Sequence, residues 1–178
     1  MPVLGGPGSG KIASSTRGRR TMRRPVFDGT MQLGIVVRDL EATVRRYEDD
    51  YGIGPWQFQQ IDLGEEHDYR EHGEPAERSN RVAIATVGGV MWELIEPLDE
   101  EGIWARFLAE KGEGVHHVAV ATPDFGEAVA RAEREDGLML RCEHSGVDIA
   151  YLDTRRDLGV VLEVFSGMPS DGGDPDPT

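Results

Sequence analysis

This chain can be laid over itself in two places, and the overlay limits the folds open to it. Shifted by 85 positions (32 to 117), Gln32 meets His117, Asp39 meets Asp124, Val44 meets Val129, Arg46 meets Arg131 and Glu48 meets Glu133. Shifted by 70 positions (93 to 163), Gly89-Val90 meets Gly159-Val160, Glu93 meets Glu163 and Leu94 meets Val164. The smaller offset means that the second half has shorter loops, which leaves the polar segment 63–79 without a counterpart. A repeat of this length is one supersecondary unit used twice.

The unit reads as strand, helix and three strands. Residues 31–37 alternate as a strand, and Asp39 caps a helix with Leu40, Val44, Tyr47 and Tyr51 on its apolar side and Gly52 as its stop. Strands follow at about 56–62, 80–87 and 90–96. The last two are joined by Gly88-Gly89, a tight hairpin signal. After Pro97, Asp99 caps a connecting helix with Ile103, Trp104, Phe107 and Leu108 along one side, expected to pack between the halves. The strand Gly114 to Ala121 opens the second unit. Asp124 and Glu127 begin its helix as a capping box, and strands near 138–143, 147–152 and 158–165 close it. The predicted organisation is α+β: a disordered basic tail (1–29), a βαβββ module (30–97), a connecting helix (98–113), a second βαβββ module (114–166) and a disordered tail (167–178). The segment 63–79 is long enough to be a mobile flap.

Composition narrows the function. At 178 residues and 38% apolar the chain suits one globular unit or two closely packed modules. No apolar run approaches the roughly 20 residues of a membrane span, and no secretory signal is expected. Residues 1–27 carry six basic side chains and no acids, which leaves 13 basic against 33 acidic residues in the rest. A body that acidic repels phosphate backbones, so nucleic acid is not an expected partner. The single cysteine, Cys142, excludes an intrachain disulfide, fits a reducing cytoplasm, and reads as a half-buried strand residue. Gly5-Gly6-Pro7-Gly8-Ser9-Gly10-Lys11 imitates a phosphate loop, but Ile12 stands where Ser or Thr is needed and too few residues precede it for a feeding strand.

The chemistry lies in the repeat. Glu93 and Glu163 sit inside strongly apolar strands, where a carboxylate is costly to bury unless it is paired or binds a metal. Gln32 and His117 are equivalent to each other as well, so the four side chains point to one shared site on a pseudo-twofold axis. Three oxygens and one imidazole suit a single divalent ion, Zn²⁺, Mn²⁺, Co²⁺ or Ni²⁺, with positions left for substrate. His116 alternates to the opposite face and is read as structural. Tyr69 and Arg70, in the flap, could contact a substrate.

The paired modules, opened by Met31-Gln32-Leu33-Gly34-Ile35-Val36-Val37-Arg38-Asp39-Leu40 and His116-His117-Val118-Ala119-Val120, resemble the vicinal oxygen chelate superfamily. That group includes glyoxalase I, methylmalonyl-CoA epimerase, extradiol dioxygenases and bleomycin-resistance proteins. The resemblance spans about residues 30–166 and implies two modules whose mixed sheet curls into a cup around one metal, often in a homodimer. Glu93-Leu94-Ile95-Glu96-Pro97-Leu98 and Gly112 to His117 are most similar to the epimerases, whereas the set Gln32, Glu93, His117 and Glu163 resembles the ligands of zinc-type glyoxalase I. Two features depart from these enzymes. Residues 81–86 offer no second carboxylate where the epimerases have one, and Val36 and Pro97 stand where glyoxalases hold glutathione with arginine and asparagine.

What the resemblance implies is a metal-dependent cytoplasmic enzyme that moves a proton next to a carbonyl, an isomerase, epimerase or lyase, on a small carbonyl or acyl-CoA substrate. Glu163 would be the catalytic base, Glu93 the second choice, with Glu65, Glu66, Glu71 or Glu74 of the flap as further candidates. A non-enzymatic ligand-binding or resistance protein is the alternative, and a metal-dependent dioxygenase a weaker one, because Gln32 stands where such an enzyme has histidine.

Overall fold

The computed structural model describes residue 27 and residues 29–166; the two predicted tails lie almost wholly outside the described residues. The first half runs β1 (Gly29–Val36), α1 (Leu40–Tyr51), β2 (Gln57–Leu63), the two-residue strands β3 (Arg70–Glu71) and β4 (Glu74–Pro75), β5 (Arg78–Val87) and β6 (Val90–Pro97). Helix α2 (Gly102–Lys111) links it to the second half, made of β7 (Gly114–Ala121), α3 (Phe125–Arg134), β8 (Leu138–His144), β9 (Val147–Leu152), the short helix α4 (Arg155–Leu158) and β10 (Val161–Phe165). The ten strands form one curled mixed sheet in the order β2-β5-β6-β1-β7-β10-β9-β8-β3-β4.

The sheet carries the repeat in its register. In the parallel pair β1–β6, Gln32 stands beside Met91 and Gly34 beside Glu93. In the parallel pair β7–β10, His117 stands beside Val161 and Ala119 beside Glu163. These are the same pairings moved by the offsets read from the sequence. The central antiparallel seam, β1–β7, sets Gln32 opposite Ala119 and Gly34 opposite His117, with a register shift on either side of that pair. One shift leaves Met31 as the extra residue of β1, and the other leaves His116 as the extra residue of β7. Residues 31 and 116 are again equivalent by the repeat. A bulge turns the following side chains and sharpens the local bend, so the two bulges aim Gln32 and His117 from opposite ends of one seam.

Local signals explain the elements. Asp39 accepts the Ala42 N–H at 2.8 Å to start α1, and Gly52 ends it in the left-handed conformation with φ 65°. Asp124 accepts the Glu127 N–H at 2.9 Å, while the Glu127 carboxylate accepts from Arg134 instead of returning to the cap. Gly88 and Gly89, with φ 58° and 83°, make the hairpin between β5 and β6. Helices α1 and α3 cover the outer face over Val44, Leu94, Val129 and Val164. Helix α2 lies on the inner side, where Ile103 and Trp104 join Val36, Ile95, Leu140 and Tyr151 from both halves.

Four expectations change. Tyr51 is exposed at 70%, outside the apolar stripe of α1 that it was read into. Asp99 does not cap α2, whose N-cap is Glu101; it accepts from the Ser79 and Glu101 N–H groups. The final strand starts at Val161 because residues 155–158 form a helical turn closed by Gly159. The segment 63–79 is built into the sheet: β3 pairs with β8 of the other half, Arg70 beside Arg141 and Glu71 beside Leu140. Glu71 anchors it. Its buried carboxylate accepts from the Tyr69 hydroxyl at 2.7 Å and the Ile103 N–H at 3.3 Å, and pairs with Arg78 at 3.3 Å and Arg106 at 3.2 Å.

Removing Glu71 leaves Arg78, its side chain 14% exposed, with only the exposed Glu101, 3.9 Å away, as an acidic partner among the described residues. Glu71→Ala should cost about 3 kcal/mol in urea denaturation, the low end for a broken buried pair because Arg106 is half-exposed. Arg131→Ala, which breaks an exposed pair with Glu135, should cost less than about 0.5 kcal/mol. Equal losses from the two would refute this account of the anchor.

Candidate metal centre

The four repeat-related side chains meet on the inner face of the seam. The Gln32 amide donates to Glu93 Oε2 at 2.6 Å. His117 Nε2 lies 3.0 Å from Glu163 Oε2 and 3.8 Å from Glu93 Oε2. His117 is fully buried, Glu163 and Gln32 are buried, and Glu93 is nearly so. Small residues make this convergence possible. A Cβ on Gly34 would fall 1.9 Å from His117 Cε1, so the imidazole lies across the position where any other residue would carry a side chain.

Although His117 Nε2 and Glu163 Oε2 are 3.0 Å apart, neither makes an aligned hydrogen bond with any group. Two buried polar atoms that approach without aiming at each other are costly unless a third group satisfies both. Among the described residues, no three His, Cys, Asp or Glu side chains are spread around one ion-sized point. The separations nevertheless suit a common ion: donors about 2.1 Å from a tetrahedral metal stand roughly 3.4 Å from one another, and 3.0 and 3.8 Å lie on either side of that. While the Gln32 N–H group faces Glu93, its amide oxygen is the atom left for an ion. By donor type, two carboxylates, an imidazole and an amide oxygen, the set suits a divalent metal.

Burial sets the electrostatics. It pushes the Glu93 carboxyl up to about 7, reinforced by the charge of Glu163 and opposed by His117 and the Gln32 hydrogen bond. Burial also works against a charged His117, yet the Glu163 and Glu93 carboxylates outweigh it and raise the imidazole. His116 is not on the far face: as the bulged residue it turns inward, its Nδ1 lies 3.2 Å from His117 Nδ1, and its ring packs on Phe107 and Trp104. Burial drives His116 down to about 3, so it is neutral and one ring must donate to the other. A metal ligand needs a neutral His117 that donates from Nδ1 and keeps its Nε2 lone pair, so an ion here displaces the proton that the carboxylates favour.

Above this floor lies a cavity of about 170 Å³ with Gln32, Glu93 and Glu163 at its base. Trp104 of α2, Asn80 and Val82 of β5, and Cys142 and His144 of β8 are among its walls. Burial pushes the Cys142 thiol up to about 12, so it is no nucleophile. Tyr69 and Arg70 are not in the cavity wall: Tyr69 is buried in the core with its hydroxyl on Glu71, and Arg70 is exposed and paired with Asp68 at 2.9 Å. Glu71 is held by its own arginines, and Glu65 and Glu66 line a separate shallow pocket with Asp62 and Asp99. Sequence reasoning missed Gly34 and His116. Both could have been found by extending the overlay, since Gly34 meets Ala119 and His116 meets Met31.

Comparison with known proteins agrees with this architecture. The Glyoxalase/Bleomycin resistance protein/Dioxygenase superfamily model matches residues 31–164. An uncharacterized protein of Bacillus subtilis, YqjC, is 33% identical over 92 residues, a match that covers 49% of this chain and 66% of that protein. Among solved structures, a Streptomyces coelicolor methylmalonyl-CoA epimerase variant in complex with 2-nitronate-propionyl-CoA is 26% identical with a TM-score of 0.55, over 78% of this chain and 94% of that one. Methylmalonyl-CoA epimerase from Mycobacterium tuberculosis, 22% identical with a TM-score of 0.57 over 85% and 95%, shares the fold. No helix among the described residues is long and apolar enough to cross a membrane.

The raised Glu93 carboxyl has a consequence for the metal-free protein. The folded chain keeps this proton up to about pH 7, whereas the unfolded chain releases it near 4.5. Between those values the unfolded state binds fewer protons, so this group makes the folded state less stable as pH rises. Glu93→Gln removes the effect. In chelator, the variant should gain stability relative to the parent chain as pH goes from 5 to 8, read from urea midpoints. A constant difference across that range would contradict the buried-carboxyl picture.

Proposed function

The chain belongs to the Glyoxalase/Bleomycin resistance protein/Dioxygenase superfamily, and from that membership we propose that it is a metal-dependent enzyme that moves a proton at a carbon next to a carbonyl. The reaction would be an epimerisation, an isomerisation or a glyoxalase-type lyase step on a small carbonyl or acyl-CoA compound. The observation that supports this reading is the buried His117–Glu163 pair at the base of a cavity, its two atoms 3.0 Å apart but out of line for a hydrogen bond, beside Glu93 and Gln32. In it, Gln32, Glu93, His117 and Glu163 hold one divalent ion, of zinc, manganese, cobalt or nickel. Bound there, the ion would supply Lewis-acid stabilisation of the negative charge that develops on the substrate's carbonyl oxygen.

The chain's own groups divide the remaining work. Glu163 is the base: its carboxylate lies at the cavity floor, where a substrate held beside it can pass it a proton. Glu93 is the second acid–base group, although its Oε2 already holds the Gln32 amide. His117 carries no proton to the substrate; its Nδ1 contact with neutral His116 orients the ring. Trp104 and the aliphatic side chains of the wall keep bulk water from the base and strengthen every charge interaction inside. The 26%-identical epimerase in complex with 2-nitronate-propionyl-CoA favours the acyl or carbonyl class.

Purified protein should carry a single equivalent of divalent metal, measured by elemental analysis. His117→Ala and Glu163→Gln should each weaken it at least about 100-fold, and Gly34→Ala about tenfold by displacing the imidazole. Metal retained in full by His117→Ala, or no metal in the parent chain under any loading, would falsify this assignment.

A further inference from the structure

We infer that the cup takes an uncharged carbonyl compound with a short apolar body, and disfavours carboxylates and phosphates at its reacting end. This rests on the metal reading above and deepens it by naming the substrate class. The first support is charge balance at the floor. Metal-binding carboxylates are deprotonated, so Glu93 and Glu163 bring two negative charges to a divalent cation, while Gln32 and a neutral His117 bring none. The loaded floor is neutral. It can stabilise charge that develops on a substrate oxygen during reaction, but it offers a preformed anion no net attraction.

The walls give the second support. No lysine or arginine lines the cavity among the described residues. Its polar groups above the floor are Gln59, Asn80, His144, the Cys142 thiol, the Tyr151 phenol and the Trp104 indole N–H, none of them a lysine or arginine cation. The rest of the wall is aliphatic and aromatic. Three arginines of β5 and α2 are already matched: Arg78 and Arg106 with Glu71, Arg81 with Glu41 and Glu96. An anionic group here would lose its hydration without gaining a fixed cation. Outside the cup, a body of 13 basic and 33 acidic residues repels anions before they arrive. Size agrees as well, since about 170 Å³ is below the roughly 300–1,000 Å³ of pockets that take drug-sized ligands.

Acetoin and lactate separate the two classes, because a methyl group of one stands where the other has a carboxylate oxygen. Both are titrated into the cobalt-loaded full chain, and binding is read from the visible cobalt spectrum. Acetoin should bind about tenfold tighter or more, against the ordinary preference of a free metal ion for the carboxylate. Asn80→Lys, which adds an ammonium to the wall, should shift the ratio toward lactate by about tenfold or more. Lactate binding as tightly as acetoin to the parent chain, or neither ligand changing the spectrum, overturns the inference. Cobalt uptake is measured separately: a chain that takes up none defeats the metal reading, whereas one that takes it up and prefers lactate defeats only the substrate class.

Discussion

The close crossing of β1 and β7 is the constraint on which the other parts depend. At that seam the His117 ring lies across Gly34, and a bulge on each side turns Gln32 and His117 onto the same surface. Backbone pairing at the seam is antiparallel, while the strands flanking it run parallel to it. That combination follows from applying one supersecondary unit twice around a pseudo-twofold axis. It also decides where the carboxylates stand: Glu93 and Glu163 each rise next to a residue too small to block them, Gly34 and Ala119.

Such a floor works against the stability of the fold that carries it. Two carboxylates, an imidazole and an amide occupy positions where aliphatic residues would pack, and two of their polar atoms have no hydrogen-bond partner. Burial of this kind costs several kcal/mol per group unless a partner of opposite charge arrives. The outer face shows what the strands do when nothing interrupts them: Leu94, Leu162 and Val164, alternating with the two glutamates, are all core residues under α1 or α3. The floor thus reads as strain held in place by well-packed layers on either side.

Much of this was legible in the sequence, and the reason is periodicity. The alternation of apolar residues identified the strands, and the overlay of the two halves predicted that Gln32, Glu93, His117 and Glu163 would meet. Alternation is also what failed for His116, because it holds only while the register is regular. One extra residue in the seam reversed that side chain and set it against His117. Tyr69 and Glu71 were misread for a different reason. A polar, irregular segment looks solvated when its partners are unknown, and the partners here, β8 and α2, come from residues more than 30 positions away. Local sequence carries no signal for a contact of that range unless a repeat supplies one.

That segment is where the two halves stop being equivalent. It has no counterpart in the second half, yet it crosses the cup and adds its strands to the edge of that half beside β8. Its anchor, Glu71, ties Arg78 of β5 to Arg106 and the start of α2, so both walls and the inner helix are held through one carboxylate. The floor is built by symmetry, and one edge of the sheet by its loss. In the proposed reaction a symmetric floor would supply what any substrate of such chemistry needs, namely an ion site and a base. The two halves also differ in the wall: Gln59 and Ile61 of β2 face Cys142 and His144 of β8, and the asymmetric parts add Leu63 and Trp104.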